Sequence, residues 1–265
     1  MKTKQRPDDT LAIARALRVR SGRRAPASLL PAVLRRVGLA DTYWKLSSPL
    51  GPVFVARGPR GISLVMRTGS AGRFEREFRR RHGRSVLPAT SRPPAALVRV
   101  LSRLDTRAAR ELRIDLSGMS DFEQAVLRKA LEIPRGEVRP YGWVAREIGR
   151  PEAIRAAGSA LARNPVPLLI PCHRVVRSDG RSGDYVFGAG AKHDLLEAEG
   201  AQPDRLRTLA ASGVRFLGNE AKRHFCFPTC GGLDHLVATN RIRFGSARDA
   251  VAAGYRPCED CRPAA

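Results

Sequence analysis

The segment that most constrains the fold runs from Asn164 to Val176, where three prolines enclose a short apolar run that ends in Pro-Cys-His-Arg. Each proline fixes its own φ and favours extended backbone in the residue before it, so this segment is stiff before any tertiary contact forms. The run presents Cys172 with His173 directly after it. A thiol becomes a good nucleophile when its pKa is lowered, and a nearby histidine is a common cause. The pattern therefore indicates either a buried cysteine in a core strand or an activated nucleophile.

The charge of the chain favours a polyanionic partner. The 265 residues include 48 Lys and Arg against 25 Asp and Glu, for a formal net charge of +23, and lysine supplies only 6 of the basic residues. Arginine suits bidentate phosphate contacts, although the coding habit of a GC-rich genome would give the same bias. Residues 1–24 are basic but lack the apolar stretch of a secretory signal, and no apolar run is long enough to span a membrane. We therefore expect a cytoplasmic, nucleoid-associated protein without a membrane partner.

Five cysteines divide into one isolated residue and two close pairs. An odd number of cysteines without a secretory signal argues against a disulfide framework and favours thiol chemistry or metal binding. The pairs have Cys-x3-Cys and Cys-x2-Cys spacing with 27 residues between them, which is typical of a tetrahedral structural zinc site. In a region of about sixty residues with a small core, we expect the metal to decide folding. The predicted zinc ligands are Cys226, Cys230, Cys258 and Cys261.

Residues 41–112 show short apolar stretches with strand spacing, separated by turns rich in Gly and Pro, and then helical spacing. A separate helix is predicted over Ser28–Val37, within a basic extension that covers residues 1–40. The pattern predicts a small α/β domain over 41–112. Its strands are predicted at 43–46, 53–56 and 62–66, and its helices at 71–81 and 95–104.

Three further helices with tight Gly or Pro junctions indicate a helix-turn-helix variant. A capping box from Ser120 to Glu123 begins the first helix, and the second is predicted over Tyr141–Ile148. The third is predicted over Glu152–Arg163, after a proline at the start. Its small side chains allow close approach of another surface. That surface is either the rest of the protein or a nucleic-acid groove, with Arg155 as the one long side chain.

The sequence Asn-Pro-Val-Pro-x-x-Ile-Pro-Cys-His-Arg-Val-Val resembles the active-site signature of the O6-alkylguanine-DNA alkyltransferases, and the likeness extends from Asp121 to Gly200. The resemblance implies that Cys172 accepts an alkyl group, once per molecule, from alkylated guanine in double-stranded DNA. It also implies a hydrogen-bonded relay of cysteine, water, histidine and glutamate. His173 and Glu199 fall at the relay positions, with Glu197 as an alternative carboxylate. A carboxylate orients the imidazole, and the imidazole makes the thiolate available.

Further roles are implied by the same resemblance. Tyr141 would donate its hydroxyl to a guanine turned out of the duplex, Asn164 would brace the active-site turn, and Arg155 would fill the vacated place in the base stack. Small residues follow the pocket tyrosine in many relatives, whereas a valine and Phe187 follow it here, so a narrower pocket is expected. The implied DNA-contacting residues are Arg155, Ala156, Gly158, Arg174 and Lys192, and the implied pocket residues are Val175, Tyr185 and Val186.

The region from Arg215 to Pro263 resembles the zinc domain of Ada-type adaptive-response proteins, through Phe-Cys-x-Pro-Thr-Cys and Ala-Gly-Tyr-Arg-Pro-Cys-x-x-Cys-Arg-Pro. The resemblance implies bound zinc and makes Cys226 a candidate second acceptor, for methyl groups from DNA phosphotriesters. A purely structural zinc site is the alternative. Relatives tend to carry arginines after the second cysteine, whereas Gly231, Gly232 and Leu233 stand there in this chain. The domain is also C-terminal here, whereas it is usually N-terminal.

Taken together, these features predict an α+β protein. We expect a small α/β domain (41–112), a winged-helix-like, helix-turn-helix-type alkyltransferase domain (113–205) and a small four-cysteine zinc domain (206–265) after the extension. The expected function is direct-reversal DNA repair by a methylated-DNA–protein-cysteine methyltransferase, a monomer that uses zinc but no S-adenosylmethionine. The alternatives are a zinc-dependent DNA-binding regulator that senses alkylation damage and a thiol hydrolase with a Cys-His-Glu site.

Overall fold

The computed structural model describes residue 26 and residues 29–37, 40–233 and 241–263. The described residues fall into two units that divide after Ala40. The first unit contains helix α1 (Leu29–Arg36), in agreement with the helix predicted at 28–37. Apart from this helix, residues 26 and 37, and Ala40, the predicted basic extension lies outside the described residues.

The second unit begins with a four-stranded sheet. The first three strands, β1 (Ala40–Leu46), β2 (Val53–Gly58) and β3 (Gly61–Met66), form an antiparallel meander at the predicted positions. Strand β4 (Ser85–Pro88) pairs with the free side of β1 and gives the order β3-β2-β1-β4. The sequence pattern does not predict β4, because four residues that end in proline are too few to show alternation.

Successive residues of a strand point to opposite faces of the sheet, so each face has its own set of apolar side chains. Both faces of this sheet are covered by helices. Helix α2 (Ala71–His82) packs Phe74 and Phe78 against one face, beside Tyr43 and Phe54. Helices α3 (Ala95–Arg103) and α4 (Thr106–Ala109) belong to the larger core on the other face, which continues into the next region. One face of the sheet therefore packs against the region that follows it in sequence.

The next region begins with three helices and one strand of a two-stranded parallel ladder. Helix α5 (Asp121–Ala130) begins at the predicted capping box, and α6 (Tyr141–Glu147) follows β5 (Arg139–Pro140). Helix α7 (Ile154–Ala162) begins two residues later than predicted. The delay arises because the Ala153 amide donates to the Arg150 carbonyl at 2.9 Å and closes a turn before the helix.

The chain then passes through the proline-rich segment into a 3-10 turn, Cys172–Arg174. Strand β6 (Val175–Val176) follows at once and pairs in parallel with β5. Helices α8 (Ala189–Glu199) and α9 (Pro203–Ala211) complete the region. The ladder thereby joins the segment that leads into Tyr141 to the strand that follows the Cys172–Arg174 turn.

The C-terminal region is a small sheet with one helix. Its strands are β7 (Phe216–Asn219), β8 (His224–Cys226), β9 (Arg241–Phe244) and β10 (Arg256–Pro257), in the order β10-β8-β7-β9. Helix α10 (Ala247–Ala252) is capped by Ser246 and connects β9 to β10. No helix in the described part of the chain is both long enough and apolar enough to cross a membrane.

Candidate functional site

Asn164 fixes the turn that carries Cys172. Its side-chain amide Nδ2 donates to the Ile170 carbonyl at 3.0 Å and to the Cys172 Sγ at 3.1 Å, and its Oδ1 accepts from the Val166 amide at 3.0 Å. The segment between these contacts includes Leu168, a buried residue with a left-handed φ of 74°. One buried amide thus holds both ends of the proline-rich segment and the sulfur.

Strand β3 holds the same segment from the other side. The Val65 amide donates to the Pro165 carbonyl at 2.8 Å. Pro165 itself has no amide hydrogen to offer in return. The N-terminal sheet therefore contributes directly to the position of the segment that presents Cys172.

His173, Arg174 and Glu199 form a buried cluster directly after the cysteine. The His173 Nε2 lies 3.0 Å from the Glu199 Oε1, and Arg174 grips the same carboxylate with Nε at 2.8 Å from Oε2 and Nη2 at 2.7 Å from Oε1. Arg174 also donates to the Ile133 carbonyl at 2.7 Å. Glu197, the alternative carboxylate, is exposed on α8, so the geometry selects Glu199.

The electrostatics keep this cluster in one protonation state. Burial raises the pKa of Glu199, but hydrogen bonds from His173 and Arg174 more than offset it and hold the pKa at about 2. Burial lowers the pKa of His173, so the ring is neutral at pH 7. Since the ionised carboxylate can only accept, the His173 Nε2 carries the proton and donates. The Nδ1 is then an acceptor, and this buried atom has no hydrogen-bond partner among the described residues.

The thiol of Cys172 is protonated at rest. Burial raises its pKa, against the smaller lowering effects of the Asn164 amide and the Lys192 charge. This direction is opposite to the lowering expected from a neighbouring histidine. The neutral state of His173 explains the difference, because an uncharged ring supplies no positive charge to stabilise a thiolate.

Two of the predicted DNA contacts are wrong. Arg174 and Lys192 are both fully buried, at 0 % exposure. Arg174 is engaged with Glu199, and the Lys192 Nζ donates to the Val175 carbonyl at 2.6 Å. Burial also lowers the pKa of Lys192 to about 8. Neither side chain reaches a surface at which a phosphate could bind. Both instead form buried hydrogen bonds that hold the residues around Cys172 in place.

A cavity of about 740 Å³ opens beside Cys172. Among the predicted residues, Tyr141, Arg155, Gly158 and Tyr185 line it together with the cysteine. Arg155 and Ala156 are exposed on α7, and only the arginine faces the cavity. The structure therefore brings the predicted acceptor, the tyrosine and the long side chain of α7 to one opening.

Two predicted pocket residues lie elsewhere. Val175 is buried in β6, and Val186 is 47 % exposed; neither lines the cavity. Tyr185 instead packs its ring against His173 at 6.0 Å and against Phe187 at 5.6 Å between ring centroids, both edge to face. Of the three predicted pocket residues, only Tyr185 therefore lines the cavity, and its ring also contacts His173.

Several lining residues are not apparent from the sequence alone. Gly183 has φ +72°, and a Cβ there would lie 3.1 Å from the Tyr141 hydroxyl oxygen. A glycine is therefore required both by the backbone and by the tyrosine. The other unpredicted lining residues include Trp143, Arg146, Arg177, Phe216, Phe227 and Pro263.

The four remaining cysteines converge on one point. Their Sγ atoms all lie within 4.8 Å of one another, and all four side chains are buried. Sulfurs around a tetrahedral zinc at about 2.3 Å lie about 3.8 Å apart, so the arrangement fits that ion. The Gly232 amide also donates to Cys230, which suits a thiolate. This donor set supports zinc at the site.

The second role predicted for Cys226, as a methyl acceptor, stays a prediction. Its side chain is fully buried, at 0 % exposure, and Cys258 is the most exposed of the four at 5 %. The structure supports a zinc-ligand role for Cys226 through the positions of the four sulfurs.

Comparison with known protein families gives two matches, one for each of two neighbouring segments of the chain. Residues 121–201 match the family described as 6-O-methylguanine DNA methyltransferase, DNA binding domain. Residues 206–264 match the metal binding domain of Ada. The matches cover the region with Cys172 and the region with the four zinc ligands, respectively.

Individual relatives also match parts of this chain. A methylated-DNA–protein-cysteine methyltransferase of Methanosarcina acetivorans is 32% identical over 167 residues, which cover 60% of this chain and 98% of the relative. The bifunctional transcriptional activator/DNA repair enzyme Ada of Escherichia coli is 33% identical over 174 residues, 63% of this chain but only 48% of Ada. The crystal structure of Mycobacterium tuberculosis OGT in complex with DNA is 30% identical, with a TM-score of 0.47 over 62% of this chain and 98% of that one.

Proposed function

This chain belongs to the methylated-DNA–protein-cysteine methyltransferases, and we propose that it repairs O6-alkylguanine in duplex DNA by moving the alkyl group onto Cys172. The observation that carries the proposal is the position of that cysteine. Its sulfur is held by Asn164, borders the large cavity and precedes the buried His173–Glu199 pair. The four other cysteines form the zinc site, so Cys172 is the one cysteine outside it.

The transfer is a displacement at carbon. A sulfur electron pair forms the new S–C bond, the O6–C bond breaks, and its electron pair stays with the guanine. The thiol proton leaves to the His173 Nδ1, directly or through a water, while Glu199 stabilises the resulting imidazolium. The guanine takes up one proton, and we propose that Tyr141 at the cavity wall donates it. The tyrosinate then recovers a proton from the His173 imidazolium through water, so that both side chains return to their neutral state. The Asn164 amide stabilises the sulfur as negative charge develops.

DNA recognition is proposed to use the surface around α7. The alkyl carbon of the lesion is buried in the base stack, so the base must leave the duplex to reach Cys172, at a cost of a few kcal/mol. We propose that Arg155 occupies the vacated space, and its exposure on α7 and its position at the same cavity support this role. The net charge of +23 favours DNA as the partner. We further propose that the protein acts as a monomer and without S-adenosylmethionine.

Peptide mass spectrometry after a single turnover tests this function. Zinc-loaded protein is incubated with duplex DNA containing O6-methylguanine, without S-adenosylmethionine, and its peptides are mapped. We expect one methyl group on the peptide that contains Cys172, and none in a Cys172→Ser variant that still binds the duplex. Lesion binding without methyl retention would instead support a damage-sensing protein, and turnover of ester substrates would support a thiol hydrolase.

A further inference from the structure

The Cys-x3-Cys loop of the zinc site is hydrogen-bonded to the segment that leads into Tyr141. The Thr229 Oγ1 accepts a hydrogen bond from the Val138 amide at 2.9 Å. The Gly231 amide donates to the Glu137 Oε1 at 3.1 Å. Thr229 and Gly231 lie beside zinc ligands but are not ligands themselves. Their contacts therefore join the metal loop to a segment outside the zinc site.

That segment lies between the zinc loop and the turn that carries Cys172. Arg139 is 2 % exposed and forms an ion pair with Glu137, and its guanidinium faces the ring of Phe227 at 5.3 Å. Arg139 and Pro140 form β5, which pairs with the strand that directly follows the Cys172–Arg174 turn. Displacement of β5 would therefore disturb both Tyr141 and the backbone next to the acceptor.

The second pair of zinc ligands is attached to the same region by Arg262, the residue after Cys261. Its Nη2 lies 3.2 Å from Glu132 and 3.0 Å from Glu147. Its carbonyl accepts a hydrogen bond from the Arg146 Nη2 at 3.0 Å. Residues next to each pair of ligands are thus bonded to the alkyltransferase region, either to the segment directly before β5 or to α6 and the residues after α5.

The zinc region also forms part of the cavity beside Cys172. Phe216, Phe227 and Pro263 line this cavity together with Tyr141. Phe227 lies between the zinc ligands Cys226 and Cys230, and Pro263 is two residues after Cys261. The metal loop therefore supplies a wall of the space that the proposed function assigns to the alkylated base.

We propose that the zinc-binding region is a working part of the alkylguanine site. In this inference, which rests on the proposed function, zinc holds the loop of Thr229 and Phe227 against β5. Thr229 acts as a positioning residue, because it fixes Val138 and through it Tyr141 and the cavity wall. Loss of the metal or of this one hydroxyl slows alkyl transfer to Cys172, although neither takes part in the displacement.

The physical reason is that the metal supplies the bonds between the two pairs of cysteines, which no disulfide joins. The cysteines pack into the large core, but the core that belongs to this region alone is small, so the order of the loop depends on the ion. Once the loop moves, the buried Val138 amide loses its partner, and an unsatisfied buried amide is costly. The strand can then relax away from the geometry that alkyl transfer needs, where displacements of about 1 Å matter.

The decisive variant is Thr229→Val, which removes the hydroxyl and keeps the shape of the side chain. The matched control is Thr208→Val, because the Thr208 hydroxyl bonds only within the exposed helix α9, to the Asp204 carbonyl at 3.0 Å. Zinc content, duplex affinity and the single-turnover rate at saturating O6-methylguanine duplex are measured for both. Amide hydrogen exchange over residues 137–141 reports the position of the strand independently of activity.

We expect Thr229→Val to keep one zinc per chain and its duplex affinity, to exchange faster over 137–141, and to transfer methyl roughly threefold to tenfold more slowly, as the loss of one buried hydrogen bond predicts. The control should match the wild type in every measurement. Stripping zinc with a chelator should produce the same exchange pattern and a slower transfer. Wild-type rates and exchange in Thr229→Val would overturn the inference. An inactive wild type would instead overturn the proposed function, so the two failures are distinguishable.

Discussion

Arg174 and Glu199 are joined by a two-point ion pair, with Nε to Oε2 at 2.8 Å and Nη2 to Oε1 at 2.7 Å, in a fully buried position. The same carboxylate binds His173, so one glutamate fixes both the ring and the guanidinium. The pair is 25 residues apart in sequence and ties the Cys172 turn to the end of α8. The imidazole is therefore held in one orientation before any DNA binds.

Replacement of Arg174 should lower the free energy of unfolding and leave the contacts with DNA phosphates unchanged. Arg174→Met leaves Glu199 with a buried charge and one partner fewer, which typically costs about 3–5 kcal/mol of unfolding free energy. The exposed Arg128→Met on α5 is the control and should change stability by less than about 0.5 kcal/mol. Urea unfolding measures both. The salt dependence of duplex binding should not change in Arg174→Met, and a shallower slope would return Arg174 to the DNA-contacting residues.

The Glu199 carboxylate should make stability dependent on acidic pH. Its pKa is about 2 in the folded protein against an ordinary 4.5, so the stabilisation is fully present above pH 4.5 and is lost as the pH falls towards 2. Glu199→Gln should therefore lower the unfolding free energy by about 3 kcal/mol at pH 7 and by much less near pH 3. The exposed Glu197→Gln serves as the control. A difference that does not shrink in acid would contradict the lowered pKa.

The Cys172 thiol should titrate above the usual thiol pKa of about 8.5, because burial opposes the thiolate. The measurement is the rate of iodoacetamide alkylation against pH, resolved for the Cys172 peptide by mass spectrometry. Asn164→Ala should raise the midpoint further, since the Asn164 amide is one of the groups that lower it. A midpoint below 8 would mean that the protein holds a preformed thiolate.

Arg155 should matter for duplex DNA and not for the free base. Arg155→Ala should slow repair of O6-methylguanine in a duplex by about tenfold or more, because the side chain that fills the stack offsets part of the extrusion cost. Reaction with the free O6-methylguanine base should be unchanged, since nothing is extruded. The control is Arg163→Ala, an exposed arginine directly after α7 that pairs with Glu123 at 2.7 Å. Equal loss on both substrates would place Arg155 in the chemistry or the fold.

The sequence predicts elements that depend on local signals. The capping box at Ser120 begins α5, and the Gly and Pro turns separate the first three strands. The four zinc ligands also follow from spacing, because two cysteines with only two or three residues between them must lie close together. The sequence does not show which charged side chains are buried. The family resemblance implies that Arg174 contacts DNA, and only the fold shows that it pairs with Glu199.

The other features that the sequence does not predict are contacts between regions that are distant in sequence. Phe227 lines the cavity beside Cys172, and Thr229 bonds to Val138 across 91 residues. No local pattern encodes such pairings, because each depends on how two separately folded surfaces meet. The protonated resting state of Cys172 belongs to the same class, since it depends on enclosure by several segments.

The left-handed backbone of Leu168 has a consequence for the energetics of repair. A non-glycine residue in this region of φ and ψ costs of the order of 1–3 kcal/mol, and it persists only where its surroundings enforce it. In this protein, the hydrogen bonds of Asn164 and Val65 offset that conformational free energy when the chain folds, because they hold the segment in place. The acceptor turn is therefore preorganised, and little ordering entropy is left for the encounter with a lesion. Interaction energy with DNA then remains available for drawing the damaged base out of the helix.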